Sequence, residues 1–89
     1  MIWNIQMDKF TDSLKKNRIE YKEVRGKIII NPKTIKTPIY RPLEVLIDGS
    51  IYNCIFYKVY HNIDIRVAKE FVYLNSAIKY IKKYLKGEL

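Results

Sequence analysis

The chain is short of the residues from which chemical sites are usually built. It has one cysteine, Cys54, which excludes an intramolecular disulfide framework and a multi-cysteine zinc site. It has one histidine, His61, so one chain cannot supply a two-histidine mechanism or a His-rich metal site. The three glycines, Gly26, Gly49 and Gly87, are too scattered to form a phosphate-cradling loop. No run reaches the ~18 uncharged apolar residues of a membrane span, and the first residues do not read as a signal peptide. The expectation is a protein of the cytoplasm (the host cytoplasm if viral), with no membrane partner. Acid is also scarce, with 9 Asp and Glu against 17 Lys and Arg, a net charge of +8.

What is present is a core. Apolar residues make up 48% of the 89 positions, too many for a disordered tail, and the length fits one domain over residues 1–89. Isoleucine, lysine, tyrosine and asparagine number fifteen, thirteen, eight and six, against two alanines. The abundant residues use A/T-rich codons, a bias that fits a viral or mobile-element accessory protein as well as an AT-rich cell.

Periodicity predicts a helix over Ile5–Lys16, with Met7, Phe10 and Leu14 inward, Asn4 as cap and Asn17 as stop. From Ile19 the period drops to two. Strands are predicted at 19–24 and 27–31 around an Arg25-Gly26 turn, with Ile28, Ile29 and Ile30 buried on both faces. Residues 32–42 read as irregular, punctuated by Pro32, Pro38 and Pro42. Further strands are predicted at 43–47, 51–60 and 63–68, joined by Asp48-Gly49-Ser50 and His61-Asn62, the last breaking or bending at Lys69-Glu70. A final helix is predicted over Ser76–Lys86, capped by Asn75 or Ser76 and ended by Gly87. The expected fold is α+β in the order α-β-β-β-β-β-α, a mainly antiparallel sheet with a helix at each end.

Three features point towards a polyanion. Residues 32–42 carry Lys33, Lys36 and Arg41 and no acid. The last helix presents Lys79, Lys82, Lys83 and Lys86 on one side. The strand 51–60 is apolar on both parities, and one of them carries Tyr52, Phe56 and Tyr60 beside Lys58. If that face is open, the rings offer stacking platforms for bases while the cations hold phosphates. If it is closed, the rings pack under a helix or against a second copy, as in a symmetric dimer.

Glu20-Tyr21-Lys22 matches the Glu-x-Lys core of a metal-dependent nuclease but lacks a second strand-borne carboxylate. Cys54 reads as a small core hydrophobe and His61 as a solvated turn residue. The resulting expectation is a small non-catalytic nucleic-acid-binding protein for DNA or RNA, with no cofactor or metal. The alternative is an inhibitor or adaptor that binds a host protein or a protein–nucleic-acid complex.

Overall fold

A computed structural model describes residues 5–34 and 37–89. Helix α1 spans Ile5–Lys16 and helix α2 Leu74–Leu85. Between them lie β1 (Lys22–Val24), β2 (Lys27–Ile30), β3 (Ile39–Tyr40), β4 (Leu43–Asp48), β5 (Ile51–Tyr60) and β6 (Ile63–Phe71). Every pairing is antiparallel, so the fold is the expected α+β arrangement with one strand more.

The additional strand is a continuation. Both β3 and β4 pair with β5, but Tyr40 sits opposite Lys58 whereas Glu44 sits opposite Ile55. One extra residue is therefore accommodated between them, a bulge around Arg41-Pro42. Pro42 has no N–H to offer a ladder, so the strand is interrupted where proline stands. The sheet is in effect a five-strand meander, β1–β2–(β3/β4)–β5–β6.

Two-residue turns close three hairpins. Arg25 and Gly26 both have positive φ (52° and 78°), as do His61 and Asn62 (45° and 65°), the geometry of type I′ turns. At the third, Gly49 alone is positive, at 62°, matching the glycine-first type II′ turn.

Both helices end in the same motif. In α1, Ile19 N–H donates to the Leu14 carbonyl and Arg18 N–H to that of Lys15, with Arg18 at φ 56°. In α2, Glu88 N–H donates to the Lys83 carbonyl and Gly87 N–H to that of Tyr84, with Gly87 at φ 72°. These are Schellman caps, and in the first the paired residues Leu14 and Ile19 are both buried. Ile19 thus anchors a helix end, and β1 begins only at Lys22.

The two helices cover one face of the sheet. Phe10 and Leu14 from α1 and Ala77, Ile78, Tyr80, Ile81 and Tyr84 from α2 join one core cluster with Ile28, Ile30, Leu43, Val45 and Cys54. Ile29 points to the other face and is half-buried, so β2 is not buried on both sides as its composition suggested. The strand β6 runs unbroken through Lys69-Glu70, and α2 starts at Leu74 rather than Ser76. Its cap residue is Tyr73, which makes no side-chain capping bond. The expected Asn4 cap lies outside the described residues.

Burial holds several core groups in their protonated form. The Cys54 thiol is pushed up to about 12 from 9.0, and the Tyr52 and Tyr80 phenols are raised from 10.0, in each case chiefly by desolvation. Tyr84 is raised by the same cause. The unfolded chain ionises these groups first, so the stability they contribute is complete below pH about 9 and drains away as pH climbs through about 12. Urea midpoints should therefore fall between neutral pH and pH about 10.5.

A Cβ on Gly87 would lie 2.9 Å from Thr34 Oγ1, in a left-handed conformation that side chains disfavour. Gly87→Ala should cost about 1–2 kcal/mol in urea denaturation.

Candidate nucleic-acid interface

Three- and four-residue steps put Lys79, Lys82, Lys83 and Lys86 on the solvent side of α2, opposite its buried stripe, and all four are exposed. Lys82, Lys83 and Lys86 stand at the negative end of the helix macrodipole, which also favours cations there.

The segment after β2 is brought to the same end of α2. The Tyr84 hydroxyl donates to the Arg41 carbonyl at 2.7 Å and lies 3.4 Å from that of Ile30. The Tyr40 hydroxyl donates to the Leu89 carbonyl. Leu85 lines one cavity with Pro32 and Lys33. Lys33, exposed, therefore lies beside the last turn of α2. Only the backbone of Arg41 reaches it. Tyr40 and Leu43 on either side of the bulge both face the core, so the exposed Arg41 side chain turns to the uncovered sheet face with Pro42. Lys36 lies outside the described residues. Of the basic residues between 32 and 42, Lys33 alone thus lies beside the lysine-bearing end of α2 among the described residues.

The stacking role does not hold for two of its three rings. Tyr52 and Phe56 are 3% and 1% exposed. Tyr52 stacks on Phe10 at 5.5 Å and donates to Gln6 Oε1 at 3.0 Å, while Phe56 meets the edge of Tyr84 at 5.0 Å. Their parity is the one the helices cover. Only Tyr60, 39% exposed near the hairpin tip, offers a ring to solvent. Lys58 is half-buried between Tyr40 and Ile65 in the ladder.

One residue was missed. Lys69 Nζ lies 5.6 Å from the Phe71 ring centroid and 5.7 Å from that of Tyr80, within cation–π range. It shares a cleft with Lys79, Lys83 and Leu89. The strand expected from the sequence runs to residue 68, with a continuation and a bend towards Leu74 both open, so Lys69 has no assigned face. Had the strand been carried through, its alternation with Val67 and Phe71 would have placed Lys69 on the helix side. Three ammonium groups around an aromatic floor suit a phosphate beside a ring.

The remaining candidates are plain. Glu20 and Lys22 line a cavity with Tyr21, Ile29 and Asn31, in which Glu20 is the sole carboxylate. Among the described residues no three His, Cys, Asp or Glu come together as metal ligands. Cys54 is buried and its raised pKa removes thiolate character. His61 is exposed in its turn. Among the described residues no helix is long and apolar enough to cross a membrane. No protein-family model, curated protein or solved structure matches the chain.

The rings can be told apart by stability. Phe56→Ala should cost about 3–5 kcal/mol by chemical denaturation, since it empties a closed core. Tyr60→Ala should cost no more than about 1 kcal/mol, since its ring is already part-solvated.

Proposed function

We propose that this protein is a small, non-catalytic nucleic-acid-binding protein that grips the phosphate backbone of DNA or RNA with its helical layer. The observation that carries the reading is the one-sidedness of its charge. The two helices and the cap residue of α2 bear Lys9, Lys15, Lys16, Lys79, Lys82, Lys83 and Lys86 against Asp8 and Asp12. On the uncovered sheet face, Lys22, Lys27, Arg41 and Arg66 are matched in number by Glu44, Asp48, Asp64 and Glu70. The excess positive charge is thus concentrated on the helix side, where Lys33 and Lys69 add to it and Glu23 offsets one unit.

Such a surface contacts phosphates rather than base edges. Lysine offers a point charge without arginine's bidentate fork, so sequence preference should be weak. A second reading, an inhibitor or adaptor docking on a protein, draws support from the uncovered sheet face, where Ile39, Ile51 and Tyr57 are exposed.

Fluorescence anisotropy with single- and double-stranded oligonucleotides at two salt concentrations tests the proposal. If the four lysines of α2 each neutralise one phosphate, the log–log salt slope on duplex should be near −3.6. Lys82→Glu with Lys83→Glu should weaken binding on all sequences and roughly halve that slope. Lys27→Glu, on the uncovered sheet face and away from the cavity that Lys33 and Leu85 line, should change it far less. Absence of wild-type binding below ~100 μM at physiological salt would rule the proposal out.

A further inference from the structure

The two edges of the sheet are unequal. At one end β1 is three residues long. At the other β6 has nine residues, contains neither proline nor glycine, and pairs only with β5 among the described residues. The charges of Asp64, Arg66, Lys69 and Glu70 guard this edge against most strands, so only a strand whose charges are complementary can pair with it.

The hairpin geometry identifies which backbone groups are free. The two-residue turn makes Tyr60 and Ile63 a hydrogen-bonded pair. Alternation along the ladder then turns the N–H and C=O groups of Asp64, Arg66, Ala68 and Glu70 away from β5, towards the free edge. All four residues are exposed. Among the described residues neither Arg66 nor Glu70 forms an ion pair within its own chain.

We infer that the free edge of β6 pairs with β6 of a second copy of this chain, antiparallel and centred on Ala68. A two-fold axis perpendicular to the sheet puts each residue opposite one of equal parity, and charge then selects among the registers. Centring on Ala68 sets Arg66 opposite Glu70 of the second copy, twice, with the small Ala68 side chains facing at the axis. On the helix side it sets Ile65 opposite Phe71. Just beyond the paired strands it brings Ile63 towards Tyr73, which are 64% and 75% exposed.

The neighbouring registers are worse. Centring on Val67 opposes Glu70 to Asp64, and centring on Arg66 or Lys69 opposes a cation to itself. Centring on Ile65 opposes Asp64 to Arg66 twice but pairs only residues 63–67, compared with 65–71 when centred on Ala68, and a dimer in that register would be indifferent to Glu70→Arg. Opposite charges across a strand pair stabilise it, and like charges there destabilise it. The inference concerns assembly, and its test uses no nucleic acid.

Sedimentation velocity of the full chain over the micromolar range, with circular dichroism as a check on folding, tests it. The wild type should sediment as a dimer that dissociates on dilution. Arg66→Glu alone and Glu70→Arg alone each oppose like charges twice, and each should weaken the dimer at least about tenfold. An equimolar mixture of the two restores both opposite-charge pairs and should form a heterodimer, and the double variant should dimerise like the wild type. A wild type monomeric throughout the range overturns the inference. So does a dimer indifferent to both single variants, or single variants that stay monomeric when mixed.

Discussion

The packing of Tyr84 determines most of this molecule's surface. Its ring meets Phe56 edge-on at 5.0 Å and stacks on Tyr40 at 5.6 Å, fixing the last turns of α2 over the middle of the sheet. A buried phenol must satisfy its hydroxyl, since an unpaired one would cost about 1–3 kcal/mol. The Arg41 carbonyl serves as acceptor from within the bulge, where one residue is left out of strand pairing. The interruption at Arg41-Pro42 and the seat of α2 are therefore one arrangement. Once the inward stripe of α2 is fixed, its lysines can only face solvent, and Pro32 and Lys33 come to lie beside Leu85 at its end.

A second constraint is length. A helix of twelve residues spans about 18 Å, whereas the ten residues of β5 extend for about 33 Å. The molecule measures 43 × 22 × 22 Å, elongated as this mismatch requires. The helices cover Tyr52, Cys54 and Phe56 but not the far half of the β5–β6 hairpin. Tyr60, Ile63 and Ile65 emerge there although their parity is that of the core. Burial in this fold thus depends on distance along the hairpin as well as on parity.

That dependence explains what was legible in the sequence. The first helix, the three turns and the antiparallel class follow from local signals: the spacing of Met7, Phe10 and Leu14, and the φ > 0 demand met by Arg25-Gly26, Gly49 and His61-Asn62. The errors arose where tertiary contacts overrode such signals. Ile19 reads as a strand residue by alternation but is consumed by the cap of α1. Asn75 and Ser76 are better caps than Tyr73, yet the helix starts at Leu74, whose side chain packs against the core. The aromatic parity of β5 was recognisable as special, but sequence alone left open whether a helix lay over it. Of the basic residues, the α2 lysines were readable from a 3.6-residue period. The approach of Lys33 to them was not, because it rests on the docking of the segment between β2 and β4 against α2, held by a hydroxyl–carbonyl contact between residues forty-three apart.

One-sided coverage also connects the charged layer with the free edge of β6. A two-fold axis perpendicular to the sheet leaves both copies' helices on the same face. Edge pairing would therefore set two strongly basic layers side by side, each with the same excess of lysine. Their mutual repulsion acts against assembly and is screened beyond about 10 Å at ordinary ionic strength. The Arg66–Glu70 contacts would flank the axis within that distance, and would retain most of their attraction where the longer-range repulsion has decayed. A polyanion laid across both helical layers would neutralise the repulsion directly. Nucleic acid and a second copy would then reinforce one another while contacting different faces, a coupling that arises because both helices pack on the same side of the sheet.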